Sequence, residues 1–151
     1  MATMPNERSF HVCGLIADPE SGPQIVAAGG VIGPNLATVD IYTINTDLWR
    51  KGNNNQSNSQ KVTSLRKLFS LKFSANPLPK PIDRAASVAY GDTFLIIGGY
   101  NYDDGNLAEI YEYNAKDDSW IKREAELNIP RRDHVALAVK QSLFQECDKC
   151  N

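Results

Sequence analysis

Residues 84–120, RAASVAYGDTFLIIGGYNYDDGNLAEIYEYNAKDDSW, decide how this chain is read, because residues 8–49, RSFHVCGLIADPESGPQIVAAGGVIGPNLATVDIYTINTDLW, repeat their plan. Each stretch opens with Arg and an alternating segment. An apolar run ending in Gly-Gly follows, then a loop, the letters NLA, an acid-Ile-Tyr, and a closing Trp. A third start appears at Arg131, where RRDHV repeats the Arg and His spacing of RSFHV, with His134 matching His11 and Ser87 in the corresponding place. Internal repeats of this length are the mark of stacked supersecondary units.

Each unit reads as four short strands. QIVAA (24–28) and TFLII (93–97) are continuous apolar runs suited to strands covered on both faces. DPESG and YGDT carry turn chemistry between the first and second strands. TVDIYTI and AEIYEYN alternate polar and apolar residues, and Asn45–Asp47 and Lys116–Asp118 turn the chain into a last strand opened by Trp. Neither unit has sustained helical periodicity. Arg84 and Arg131 lie 47 residues apart, Arg8 and Arg84 lie 76 apart, and removing residues 53–75 restores most of the difference. Four strands on such a period suit one sheet of a radial array.

The pattern resembles the kelch repeat. Its markers fall on Gly29, Gly30, Tyr42 and Trp49, on Gly98, Gly99, Tyr111 and Trp120, and on the opening arginines Arg8, Arg84 and Arg131. The resemblance implies an all-β, kelch-type β-propeller segment: about two four-stranded antiparallel blades plus part of a third, a portion of a larger propeller rather than a closed one. It divides the chain into a first blade (1–50), a basic low-complexity insert (51–80), a second blade (81–130) and the start of a third repeat with a tail (131–151). It also implies a non-enzymatic protein-interaction role, with substrate recognition for a cullin-type ubiquitin ligase as the leading identity. The alternatives are a propeller enzyme (oxidase or sugar-modifying) with catalytic residues outside this chain, or an actin-binding structural protein. The aromatic rings are expected between neighbouring sheets, since a unit of this size has little core of its own.

Composition agrees with a soluble globular chain. Its 151 residues are 42% hydrophobic and 23% charged, with a formal net charge of −2, so nothing pulls it globally toward nucleic acid or an anionic membrane. No apolar run approaches the roughly 20 residues of a membrane span, and MATMPNERSF does not read as a secretory signal. The expected location is therefore cytoplasmic. Between Leu48 and Ile82 lie seven basic residues and no acid, leaving 9 basic and 18 acidic residues elsewhere. Within that insert GNNNQSNSQ is polar low-complexity sequence. KVTSLRKLFSLKF has the spacing of a short basic amphipathic helix, set against the simpler reading of a solvated loop.

Candidate chemistry is sparse. The three cysteines make no disulfide scaffold, and Cys147-Asp148-Lys149-Cys150 lacks the second pair or histidines of a structural zinc site. There is no G-x-S-x-G, H-E-x-x-H or P-loop, and His11 and His134 occupy equivalent repeat positions, as structural residues do. No cofactor and no metal are expected. The candidate partner-binding residues lie in the loops after the glycine pairs: Asn35 in one, and Tyr100, Asn101, Tyr102, Asp103 and Asp104 in the other. Tyrosine is enriched at recognition surfaces, and the paired acids suit a basic or arginine-bearing protein partner. A chain with two open sheet faces is also expected to self-associate.

Overall fold

The computed structural model describes residues 2–51 and 75–139. The greater part of the basic insert, with its amphipathic segment, and the Cys147–Cys150 tail lie outside the described residues. The fold is all-β: two antiparallel four-stranded sheets that do not close on each other. Sheet 1 is built from β1 (Val12–Asp18), β2 (Gly22–Ala28), β3 (Val39–Thr43) and β4 (Leu48–Arg50), and sheet 2 from β5 (Ala86–Tyr90), β6 (Thr93–Asn101), β7 (Gly105–Asn114) and β8 (Ser119–Glu126). Each sheet runs in simple sequential order. The described residues contain no helix long and apolar enough to cross a membrane.

Local chemistry places the turns. Between β1 and β2, the Asp18 carboxylate accepts the Ser21 N–H at 2.7 Å and the Glu20 N–H at 3.1 Å. Before β4 and β8, Asp47 and Asp118 take the left-handed conformation, with φ near 54° and 52°, which short polar side chains tolerate. Each of these carboxylates accepts the hydroxyl of the tyrosine five residues earlier, Tyr42 at 2.5 Å and Tyr113 at 2.6 Å.

The core lies between the sheets. Val12, Ile16, Val26 and Ile41 of sheet 1 meet Phe94, Ile96, Tyr111 and Tyr113 of sheet 2, with Leu78 and Ile82 of the connecting segment between them. Gly14 makes this approach possible, since a Cβ there would sit 2.6 Å from the Phe94 ring. Trp120 leans on Tyr113 and Phe94, with ring centroids 5.0 and 6.3 Å away, against this core, whereas Trp49 packs on Tyr42 at 5.2 Å. The indole N–H groups donate to the carbonyls of Ala2 and Asn76, one pinning the chain ahead of each sheet.

The glycine pairs have one physical job in both sheets. A Cβ on Gly29 would collide with the Ile82 carbonyl, and one on Gly98 would lie 2.7 Å from that of Arg131. Here the segment leaving for the next unit crosses backbone to backbone. Gly30 donates to Ile82 O at 2.8 Å and Gly99 to Arg131 O at 2.9 Å.

That crossing corrects two positions of the repeat. Ser9 pairs with Val31 and Asp83 with Tyr100, each the residue after a glycine pair. The structural counterpart of Arg8 is therefore Ile82, and Arg84 stands where Phe10 stands. Arg131 matches Ile82 through the shared bond from the second glycine, and so stands in the place of Arg8. Tyr42 pairs with Trp49 and Tyr113 pairs with Trp120, so Tyr113, not Tyr111, is the counterpart of Tyr42. Tyr111 instead takes the place of Asp40. By the same count His11 matches Ala85 rather than Ser87. In sheet 1 the fully buried Arg8 guanidinium bonds Gly29 O, Thr38 O and the equally buried Asp40 carboxylate, which Asn6 also caps. In sheet 2 the same two places hold Ile82 and Tyr111, both buried.

Candidate functional site

The loops that follow the glycine pairs come together at one end of the molecule. In the hairpin between β6 and β7, buried Asn101 organises the turn. Its side-chain oxygen accepts the Asp103 and Asp104 N–H groups at 2.9 and 2.7 Å, and its amide donates to the Asp104 carboxylate at 3.0 Å. The turn holds Tyr102 outward, 68% exposed, with its ring edge-on to Tyr100 at 5.9 Å. From the other sheet, Asn35 accepts the Tyr102 N–H at 3.2 Å and ties the two loops into one surface. All six residues singled out in the sequence therefore lie on this surface. Asn101 supports it from below, and Tyr102 and Asp103 face solvent.

Five further residues belong here that were not among the candidate binding residues. Phe10, Arg84 and Asp133 occupy equivalent connector positions, all with positive φ. They are stitched in series by Asp133 N–H to Arg84 O and Arg84 N–H to Phe10 O, both 3.0 Å. The Arg84 guanidinium lies 4.5 Å over the Phe10 ring, 3.8 Å from Asp83 and 3.9 Å from Asp133. Arg132 covers the Tyr100 ring at 4.5 Å and pairs with Asp133 at 3.6 Å. Lys80 lies 2.8 Å from Asp104 and 2.9 Å from Glu109. The available signal was the clustering of charge beside the repeat starts, Asp83-Arg84 and Arg131-Arg132-Asp133.

These pairs set the electrostatics. The hydrogen bond to Asp104 pushes the Lys80 ammonium up, and Lys80 in turn holds the Asp104 carboxyl below the ordinary range. Burial pushes the Asp83 carboxyl up, although the Arg84 charge opposes it. Asp104 is thus occupied internally, and the surface is charge-mixed and aromatic rather than acidic. Burial lowers both His11 and His134, helped by the neighbouring Arg8 and Arg131 respectively, which favours neutral rings packed at the connectors. Among the described residues no group of three or more His, Cys, Asp or Glu side chains is placed to hold a metal ion.

No protein-family model matches the chain, and none of the curated proteins compared with it is similar enough to count as a relative.

Proposed function

We propose that this chain is a kelch-type propeller portion whose role is protein recognition through the loop surface around Tyr100, Tyr102 and Asn35. The observation that carries this reading is the Asn35–Tyr102 junction. It holds an exposed aromatic hairpin on a surface drawn from two sheets, with guanidinium groups seated on two of its rings. Rigid tyrosines and arginines of this kind are typical energetic anchors of interfaces. A partner presenting an apolar or aromatic group flanked by mixed charge fits this surface better than a purely basic peptide, since Lys80 already engages Asp104. Within this reading, the sequence resemblance favours a substrate-receptor role for a cullin-type ubiquitin ligase, in the cytoplasm.

The test is quantitative affinity capture from cell extract with the wild-type chain, Tyr102→Ala and Tyr90→Ala. Tyr90 is similarly exposed but ends β5, at the end of sheet 2 opposite the β6–β7 hairpin. Proteins retained by wild type and by Y90A but lost with Y102A support the reading. An identical set with all three chains refutes it.

A further inference from the structure

We infer that the chain assembles head to tail with further copies of itself, the open face of sheet 2 in one copy receiving the open face of sheet 1 in the next. This does not depend on the loop surface. The contact between the two sheets of one chain supplies the template, because the register shows which surfaces meet there. Sheet 2 presents the row Ala89, Phe94, Tyr113 and Trp120, paired across its four strands. The same row on sheet 1 is Leu15, Ile25, Tyr42 and Trp49, on the face turned away from sheet 2, and Leu15 is 56% exposed. Sheet 1 in turn meets sheet 2 with Val12, Gly14, Ile16, Val26 and Ala28. The counterparts on the open face of sheet 2 are Ala86, Val88, Tyr90, Leu95 and Ile97, and Tyr90 is 75% exposed. The two outward faces of these sheets are thus the two halves of one kind of contact.

The side chains at the tightest point are redistributed: within the chain the Phe94 ring and Ala89 lie against Gly14, and between copies Ile25 and Leu15 lie against Val88, so the contact there is bulkier and closes less tightly. The backbone also has a defined exchange. Residues 127–131 lie along the rim of sheet 2 through Leu127 N–H to Ala108 O, Arg131 N–H to Leu107 O, and Gly99 N–H to Arg131 O. Residues 78–82 make the same three bonds on sheet 1, to Ala37 O, to Leu36 O and from Gly30. Residues 4–8 stand in the corresponding place ahead of sheet 1. In the assembly, residues 4–8 of the incoming copy take that rim bond for bond, and residues 127–139 are displaced. The displaced segment gives up the Asp133 N–H to Arg84 O bond, which Phe10 of the incoming copy is placed to remake, and the Arg132 contact with Tyr100, whereas its Val135 and Leu137, 93% and 81% exposed, bury little where they now lie. The Glu112–Arg123 ion pair, 3.2 Å and partly exposed, is a polar feature of the receiving face and limits the affinity. Such a contact is heterologous and builds either a closed ring or an open filament. Radial arrays of four-stranded sheets close at about four to eight sheets, so a ring takes about two to four copies.

The test uses two variants, Leu15→Glu on the leading face and Val88→Asp on the receiving face, with mass measured by light scattering from about 1 to about 100 µM. Wild type should show a concentration-dependent assembly. Each variant alone should remain monomeric with an unchanged circular dichroism spectrum, and their mixture should give a one-to-one pair, because each retains the face that the other lacks. Cys13, exposed beside Leu15, gives an independent readout: its alkylation, followed at peptide level, should slow about tenfold once nine-tenths of the wild-type chains are assembled. A wild-type chain that stays monomeric overturns the inference and leaves these faces to some other occupant, such as strands of a longer chain. Association that survives L15E, or a mixture that fails to pair, overturns it equally.

Discussion

Replacing Asp118 tests the junction of the two sheets at its most connected side chain. The Asp118 carboxylate accepts the Tyr113 hydroxyl at 2.6 Å and the Asn76 N–H at 3.4 Å, and lies 3.5 Å from the Arg50 guanidinium of the opposite sheet. Its side chain is 7% exposed. Asp118→Asn keeps an acceptor and tolerates the left-handed backbone, but removes the charge, so it should cost about 1.5–3 kcal/mol, the range of a hydrogen bond to a charged group. Asp118→Ala in addition leaves the buried Tyr113 hydroxyl proton without an acceptor, its oxygen still receiving Arg50 at 3.3 Å, about 1–3 kcal/mol, and places Ala at positive φ, about 1–2 kcal/mol. The total of about 3.5–8 kcal/mol is a large share of the stability of an ordinary domain. Adding Tyr113→Phe to Asp118→Ala should restore part of the loss, because no orphaned hydroxyl remains. Asp47 makes the same bond to Tyr42 on the open face, where it is exposed and water replaces what the carboxylate supplied. Asp47→Asn should therefore be much milder. Urea unfolding followed by tryptophan fluorescence measures all four variants. An Asp118→Asn chain within about 0.5 kcal/mol of wild type would refute the reasoning, as would an Asp47→Asn chain at least as destabilised.

Two further outcomes follow from the same structure. Gly29→Ala should cost about 3 kcal/mol or more, since it combines positive φ with a collision against the Ile82 backbone inside the sheet junction, whereas Gly33→Ala, with the same sign of φ and nothing within 4 Å, should cost only about 1 kcal/mol; equal urea midpoints for the two would contradict the crossing. The Lys80 cluster should give an acid-sensitive contribution to stability. Asp104 and Glu109 are both held low; for Glu109 burial pulls upward most strongly, and the Lys80 bond, a backbone N–H and the Lys80 and Lys122 charges together outweigh it. Their contribution is therefore complete above the ordinary carboxylate pKa of about 4 and is lost as pH falls through the lowered values. Lys80 is raised, so at alkaline pH its contribution persists past the ordinary lysine pKa of about 10.4. Lys80→Met should be less stable than wild type at neutral pH, with the difference shrinking as pH falls below the ordinary carboxylate range and through the lowered values; a difference independent of pH in thermal melts would exclude the cluster as its source.

The amino-acid sequence by itself determined the two four-stranded units, the turns between their strands and the location of the loops that follow the glycine pairs. These follow from local causes: alternation along strands, glycine where backbones cross, aspartate where the chain turns left-handed. Tertiary structure alone decided the matching of Arg8 with Ile82 instead of Arg84, and of Tyr42 with Tyr113 instead of Tyr111. Both differences are slips of two residues. Side chains alternate across a strand with a period of two, so such a slip leaves every residue on its original face and the hydrophobic pattern unchanged. Hydrogen bonds between separate segments, Ser9 with Val31 and Asp83 with Tyr100, separate the first pair of alternatives, and the pairing of Tyr42 with Trp49 and of Tyr113 with Trp120 separates the second. The mixed charge of the loop surface was hidden for a related reason. Lys80 reaches Asp104 and Glu109, and Arg132 reaches Tyr100, only because the connectors cross the ends of sheet 2, a proximity that no spacing along the chain encodes.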